Sequence, residues 1–225
     1  MINLSFFREA VRSFRSTGAI APASPQLIKK LVAPLPADRP VTVVELGPGE
    51  GCVTRAILRA VHPASTVTAF EINPAFVRRL ATLDDPRLRV LATGAERLTE
   101  HLAPGSADFV ISSLPLSMIP REVKETIITR ALLVLRPGGQ FLQYQYALQD
   151  YALLRGRFGE VSVRLALANL PPAFVYRCSP GSVAAGSAVT QPDQYRPEHE
   201  QPVNHHGVPV LRTVRGGQRS DRQSD

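Results

Sequence analysis

The amino-acid sequence predicts an α/β fold with a seven-stranded, mostly parallel sheet and an antiparallel hairpin at one edge. Apolar strand-like runs alternate with amphipathic helical segments from residue 41 to residue 156, which is the order that a parallel sheet requires. A glycine-rich turn at residues 47–51 follows the first of these strands. Two later strand-like runs are joined by the short connection 169–172, which favours an antiparallel pair.

The hydrophobic pattern assigns each element in turn. Strands are expected near residues 41–46, 66–71, 87–91, 107–112, 138–146, 161–167 and 174–177. Helices are expected near residues 51–61, 74–83, 95–101, 121–135 and 148–156. Another helix begins ahead of the sheet, where Ser24 is suited to the N-cap and Pro25 to the first helical position.

Three segments differ in composition. Residues 1–23 predict an N-terminal amphipathic helix and a linker, and residues 24–178 predict the α/β domain. Residues 179–225 lose apolar periodicity and are rich in Gly, Ser, Pro, Gln and His, so we expect this tail to be mostly disordered.

The N-terminal helix is expected over residues 3–16. Its apolar face carries Phe6, Phe7, Val11 and Phe14, and arginines occupy much of the remainder. Such a helix either lies on an anionic membrane surface or packs on the protein's own core. The formal net charge of +7 and the pI of about 10 favour an anionic partner, which is either a nucleic acid or an anionic membrane.

Composition excludes several classes of protein. There is no run of about 18 apolar residues that predicts a membrane span, and we expect no secretory signal. Cys52 and Cys178 have no metal-ligand spacing and predict no disulfide framework, which fits a reducing cytosol. His205 and His206 lie in the tail, and we predict no metal site.

The glycine-rich turn is the strongest functional signal. Glu45 is followed by Gly47, Gly49 and Gly51, which let the backbone approach a ligand closely. Glu71 ends the next strand about 20 residues later, a spacing that suits a carboxylate binding ribose hydroxyls. A nucleoside site is therefore predicted, and a purely structural turn is the alternative.

This E-x-G-x-G-x-G pattern resembles motif I of the class I S-adenosylmethionine-dependent methyltransferases, which have a Rossmann-like fold. The resemblance implies S-adenosyl-L-methionine as cofactor. It implies that Glu45 holds the turn and the amino group of the methionine moiety, although a purely structural hydrogen bond is an alternative. It further implies that Glu71 binds the ribose, and that Ile72 covers the adenine.

The adenine-edge motif departs from the family. With Ala95 aligned on the family's alanine, Gly94 stands where related enzymes carry an aspartate that accepts from the adenine amino group. Glu96 either replaces that aspartate through a shift of register or faces water. The backbone amide of Ala95 is expected to bind the ring in either case.

The loop after the fourth strand is where the family places the methyl acceptor. It contains Ser112, Ser113, Leu114, Pro115 and Leu116. Base methyltransferases carry Asn or Asp and an aromatic residue at the two ends of this motif, whereas this chain keeps only the proline. Since a leucine cannot stack on a base as an aromatic ring does, the loop favours an acceptor with aliphatic surroundings.

Segments 6–24, 112–116 and 169–176 resemble the bacterial phospholipid N-methyltransferases, over roughly residues 4–178. The resemblance implies stepwise N-methylation of phosphatidylethanolamine towards phosphatidylcholine. It also implies peripheral attachment, through residues 3–16, to the inner face of the cytoplasmic membrane, and does not favour a nucleic-acid partner. An RNA adenine dimethylase and a non-catalytic nucleoside-binding protein are the alternatives.

No side chain in the sequence is an evident general base for the acceptor amine. Tyr144 and Tyr146, at the end of the fifth strand, are the candidates to orient the amine or to hold a methylated ammonium by cation–π contact. Ordinary alternating packing of a strand is the other explanation for these two residues.

Overall fold

The computed structural model describes residues 23–167, 169 and 171–181. The helix expected over residues 3–16 lies outside the described residues, as does the tail expected over residues 179–225 apart from residues 179–181, so both stay predictions. In the described part of the chain, no helix combines the length and the apolar character needed to cross a bilayer.

The described elements alternate between helices and strands as expected. In chain order they are α1 (Pro25–Val32), β1 (Thr42–Leu46), α2 (Cys52–Ala60), β2 (Thr66–Phe70), α3 (Pro74–Ala81), β3 (Leu88–Leu91), a 3₁₀ turn (Ala95–Arg97), α4 (Leu98–His101), β4 (Ala107–Ser112), a second 3₁₀ turn (Leu116–Met118), α5 (Arg121–Val134), β5 (Leu135–Gln145), α6 (Tyr151–Arg157), β6 (Glu160–Ala166) and β7 (Ala173–Ser179).

The seven strands form one sheet in the order β3-β2-β1-β4-β5-β7-β6. Strands β1 to β5 pair in parallel, and β7 pairs antiparallel with both β5 and β6. This arrangement confirms the predicted mostly parallel sheet with an antiparallel edge hairpin. The strand order reverses between β1 and β4, and open α/β sheets bind ligands in the crevice at the carboxyl ends of such strands.

Both faces of the sheet are covered by apolar packing. Leu46, Val110 and Phe141 pack on one side with residues of α5. Ile111 and Leu142 pack on the other side with residues of α1 and α2. Successive strand residues point to opposite faces, so the central strands need apolar residues at nearly every position.

The ends of two helices follow the predicted chemistry. The Ser24 hydroxyl accepts from the Leu27 N–H at 3.2 Å, and the Asn73 side chain accepts from the Ala75 N–H at 2.9 Å. Proline follows each of these caps at the first helical position, where its missing N–H costs nothing.

The element predicted at 95–101 and the start of the fifth strand differ from expectation. The Arg97 N–H donates to the Gly94 carbonyl at 3.0 Å, an i→i+3 bond that makes the first turn 3₁₀ and leaves only one turn of α-helix. Strand β5 begins at Leu135 rather than near residue 138, with a register shift against β4. Gly138 lies in that irregular stretch with a φ of 77°.

Candidate active site

The glycine turn between β1 and α2 has a backbone conformation that other residues rarely adopt. Gly47, Gly49 and Gly51 have φ angles of 65°, 57° and 81°. A Cβ on Gly51 would lie 2.9 Å from the Leu80 side chain. The Gly47 N–H donates to the Phe70 carbonyl at 3.0 Å, so the turn is bound to the end of β2.

Glu71 faces the glycine turn, as predicted. Its carboxylate is buried and accepts from the Gly49 N–H at 3.0 Å and from the Asn73 N–H at 2.9 Å. A carboxylate has about four acceptor positions, so these two bonds do not by themselves saturate it. The geometry is that of an acidic group held at the carboxyl end of β2, beside the turn.

A cavity of about 360 Å³, partly open to solvent, lies at the carboxyl ends of the parallel strands. Six of the residues predicted to bind the cofactor line it: Gly47, Glu71, Ile72, Gly94, Ala95 and Glu96. Leu114 of the predicted acceptor loop lines the same cavity.

Glu96 lies directly beside Gly94 in this cavity. A Cβ added to Gly94 would lie 2.1 Å from Oε2 and 2.3 Å from Oε1 of Glu96. The Glu96 carboxylate is buried, and the Arg130 guanidinium donates to the Glu96 backbone carbonyl. The carboxylate therefore occupies the space that a side chain of residue 94 would take, and its contact with the adenine stays a prediction.

Three lining residues were missed by the sequence analysis: Phe70, Thr93 and Ile127. The Thr93 hydroxyl is buried and has no hydrogen-bond partner among the described residues. Thr93 directly precedes Gly94, so the adenine-edge motif could have been extended by one residue to include it. Ile127 comes from α5, and no local pattern in the sequence points to it.

Four other predicted cofactor residues do not line this cavity. Gly49 and Gly51 form the turn itself, and Glu45 lies on β1 with its side chain fully buried. The Ser112 hydroxyl accepts from the Leu114 N–H at 3.3 Å. Glu45 is thus buried in the sheet beneath the site, and Ser112 holds the start of the loop.

The acceptor loop is fixed by a buried side chain of β5. The Gln143 amide donates to the carbonyls of Leu114 and Tyr144, both at 2.9 Å. Leu116, which sequence analysis placed in the acceptor surroundings, is fully buried in the core. Leu114 is therefore the apolar residue that this loop presents to the cavity, and Ser113 and Pro115 flank it.

Tyr144 lies on β5, and Tyr146 directly follows the last residue of that strand. Their ring centroids are 6.1 Å apart, with an interplanar angle of 83°. Both are partly buried against the apolar cluster of α1 and α2, and neither lines the cavity. Their packing against these helices is compatible with a purely structural pair, and their role toward the acceptor stays a prediction.

A buried polar network supports the end of β5. Lys124 and Asp150 form an ion pair at 2.6 Å, and the Gln145 amide donates to the same carboxylate at 3.2 Å. The Tyr176 hydroxyl donates to the Ala147 carbonyl at 3.3 Å, and burial raises the pKa of Tyr176 to about 12. None of these four side chains lines the cavity, so this network acts on the position of β5 rather than on a ligand.

The comparisons with known proteins agree with this geometry. A family model described as a methyltransferase domain matches residues 43–139. A 1,6-didemethyltoxoflavin-N1-methyltransferase from Burkholderia thailandensis, solved with S-adenosylhomocysteine, superposes with a TM-score of 0.58 at 20% identity, covering 78% of this chain and 86% of that chain. A precorrin-6y C5,15-methyltransferase from Geobacter metallireducens gives a TM-score of 0.57 at 14% identity, covering 69% of this chain and 88% of that chain.

The fold and the site thus define a class I S-adenosylmethionine-dependent methyltransferase. Within the curated proteins, an ornithine lipid N-methyltransferase from Singulisphaera acidiphila is 34% identical over 166 residues, which are 71% of this chain and 86% of the relative. The chain belongs to the methyltransferase family that includes this bacterial lipid N-methyltransferase.

S-adenosyl-L-methionine is the cofactor of this family, and the residues present fit it. The turn at 47–51 offers backbone amides and no side chains, and Glu71 offers a carboxylate for the ribose. The Thr93 hydroxyl, which no described residue bonds, and the Glu96 carboxylate lie together in the same cavity. They supply hydrogen-bonding groups where the adenine edge is expected.

Proposed function

We propose that this protein transfers methyl groups to the amine of a membrane lipid, and that phosphatidylethanolamine is the acceptor, methylated stepwise towards phosphatidylcholine. The observation that supports the proposal is the acceptor loop. Its residue in the cavity is the aliphatic Leu114. An aliphatic amine needs no stacking partner, whereas a base without one loses about 1–3 kcal/mol of stacking free energy.

The relative's name supports the same class of substrate and suggests a second acceptor. That protein is an ornithine lipid N-methyltransferase. An ornithine lipid and phosphatidylethanolamine both present a primary aliphatic amine on a lipid headgroup. Ornithine lipid is therefore our second candidate acceptor.

An RNA adenine dimethylase is the less favoured candidate. It requires Asn or Asp at position 113 and an aromatic residue at position 116, and this chain has Ser113 and Leu116 there. Leu116 is also fully buried in the core, so that position could not present a ring to a base without rebuilding the loop.

The proposed reaction is an in-line displacement. The lipid amine loses a proton, its lone pair forms the new N–C bond with the cofactor's methyl carbon, and the C–S bond breaks with its electrons moving to sulfur. Among the residues that line the cavity, the titratable ones are Glu71 and Glu96. We assign both to the cofactor, so the proton leaves to solvent and the protein contributes positioning and desolvation.

We also propose that the protein is attached to the inner face of the cytoplasmic membrane through residues 3–16. The support is the amphipathic pattern of that segment, with Phe6, Phe7, Val11 and Phe14 on one face, and the net charge of +7. Each basic residue near an anionic bilayer adds about 1 kcal/mol to such attachment.

The test is to incubate the full-length protein with methyl-labelled S-adenosylmethionine and one of three acceptors. These are vesicles containing phosphatidylethanolamine, vesicles containing ornithine lipid, and RNA. We expect label in mono-, di- and trimethylated phosphatidylethanolamine, separated by thin-layer chromatography, and none with a Glu71→Ala variant. Label in ornithine lipid alone would move the assignment to the second candidate, and label only in RNA or in no acceptor would overturn it.

A further inference from the structure

A second groove lies between α1 and α2, outside the cofactor cavity. It encloses about 1020 Å³, including space open to solvent. Its apolar wall is formed by short and aliphatic side chains from both helices: Ala23, Pro25, Ile28, Val32, Ala56 and Ala60. The two helices are about 12–14 Å long, so the groove could accommodate part of an acyl chain.

The rim of this groove is cationic. Lys29, Arg55 and Arg59 line it, and none of its described lining residues is acidic. Lys29 and Arg59 are exposed and form no ion pair with the described residues. The Arg55 guanidinium donates to the Glu50 carbonyl at 3.3 Å. An apolar groove bordered by cations is complementary to an anionic amphiphile.

One end of the groove meets the glycine turn. Cys52 lines the groove and directly follows Gly51, the last glycine of the turn. A lipid lying in the groove with its anionic group on the rim would therefore be held next to the cofactor-binding loop.

We propose that the groove between α1 and α2 binds one anionic membrane lipid, with its acyl chain against the apolar wall and its anionic group between Lys29 and Arg59. This inference rests on the proposed function for its purpose, which is to hold the cofactor-binding turn close to the membrane that contains the acceptor lipid. It rests on the groove's shape and charge for its chemistry.

The chain's own N-terminal segment is the other conceivable occupant, because it precedes Ala23 directly. That segment carries Arg8, Arg12 and Arg15 against the single acidic residue Glu9. It would bring like charges onto a cationic rim, which is unfavourable. Charge complementarity therefore favours the lipid.

The experiment is calorimetry of the full-length protein with dodecyl phosphate below its micelle-forming concentration. Inorganic phosphate and dodecyl maltoside test the head and the tail separately. We expect one dodecyl phosphate per chain, and much weaker binding of either half alone. Equal affinity for dodecyl phosphate and dodecyl maltoside would overturn the role of the cationic rim.

Two charge reversals have matched controls. Lys29→Glu and Arg59→Glu should each weaken dodecyl phosphate binding at least about tenfold, since each removes a charge-assisted contact. Lys30→Glu, on the same helix but bonded to the Leu165 carbonyl, and Arg78→Glu on α3 change the net charge equally and should leave affinity nearly unchanged. If all four variants weakened dodecyl phosphate binding equally, the protein's net charge would explain the binding, and the proposed site would be overturned.

A groove-filling change tests the apolar wall without altering charge. Ala60→Phe should abolish dodecyl phosphate binding, and Ala64→Phe, at an exposed position beyond α2, should not. Efficient disulfide formation between Cys52 and a Val11→Cys variant in the absence of lipid would place the N-terminal segment in the groove and overturn the proposal. None of these measurements uses methyl transfer, so a failure of the proposed function would not be mistaken for a failure of the groove.

Discussion

The carboxylate of Glu96 fills the space in which a side chain at residue 94 would lie, since a Cβ on Gly94 would come within 2.1 Å of Glu96 Oε2. The cavity therefore contains an acidic group beside residue 94, where we expect the adenine edge, and this group comes from a position two residues later in the chain. Glycine at 94 is the residue that leaves room for it.

Variants at positions 94 and 96 can test whether either position can supply the acidic group. Glu96→Ala should weaken S-adenosylhomocysteine binding about tenfold or more, because a hydrogen bond to a charged group contributes about 1.5–3 kcal/mol. Gly94→Asp alone should also weaken binding, since the new side chain collides with Glu96. The double variant Gly94→Asp/Glu96→Ala should recover most of the affinity, measured by calorimetry.

A matched control for this series is Glu100→Ala, which removes an exposed carboxylate of the same region that pairs with Arg97. Its affinity for S-adenosylhomocysteine should equal that of the unaltered protein. If the double variant were no better than Gly94→Asp alone, the two positions would not be exchangeable.

Glu71→Gln should reduce cofactor affinity about 10- to 100-fold. The carboxylate is buried and accepts from Gly49 N–H and Asn73 N–H, and a neutral amide weakens these contacts as well as those expected to the ribose. Isothermal titration with S-adenosylhomocysteine measures the loss. Glu50→Gln, at an exposed residue of the same turn, is the control, and a comparable loss there would contradict the assignment.

Gln143→Leu should lower kcat about tenfold while leaving cofactor affinity nearly unchanged. The substitution removes the amide that fixes the Leu114 carbonyl at 2.9 Å, and a donor lost from a buried carbonyl costs about 1–3 kcal/mol. Initial rates with lipid vesicles and calorimetry with S-adenosylhomocysteine separate the two effects. Gln149→Leu, at an exposed position, should change neither, and a parallel loss of affinity in Gln143→Leu would indicate collapse of the cavity instead.

Cys178 should make the folded state less stable at alkaline pH. Burial raises the pKa of its thiol from 9.0 to about 12, so above about pH 9 the unfolded chain loses a proton that the folded chain keeps. Stability therefore falls as pH rises from about 9 to about 12, by up to about 1.4 kcal/mol per pH unit from this group.

The measurement is urea unfolding at several pH values in this alkaline range. Cys178→Ala should reduce the downward slope of the unfolding free energy with pH, whereas Cys52→Ala, at a partly exposed position, should retain it. An unchanged slope in Cys178→Ala would show that the thiol does not carry the proton difference.

Local patterns in the sequence were sufficient to predict the strands, the glycine turn and the helix starts that surround the site. The glycine turn follows β1, and Glu71 follows β2. Because β1 and β2 are neighbouring parallel strands, their carboxyl ends lie side by side, and the turn and Glu71 could be predicted to lie close together. Proline at the first position of α1 and α3 located the starts of those helices. These features depend on neighbours in the sequence, so they could be predicted without coordinates.

Contacts between distant segments could not be predicted in this way. Ile127 reaches the cavity from α5, and Leu116 turns into the core although it belongs to the predicted acceptor loop. The position of the Glu96 carboxylate depends on a 3₁₀ turn that the pattern of 95–101 did not distinguish from α-helix. In each case packing between elements decided the outcome.

The Ser24 N–H donates to the Asn169 side chain at 2.9 Å, joining residues 145 positions apart in the chain. This hydrogen bond joins the start of α1 to the connection between β6 and β7, at the hairpin edge of the sheet. The chain ahead of Ser24 therefore leaves the domain beside that edge. If the residues ahead of Ser24 attach the protein to a surface, its antiparallel edge would lie nearest to that surface. The position of this attachment would then determine the direction in which the cavity opens.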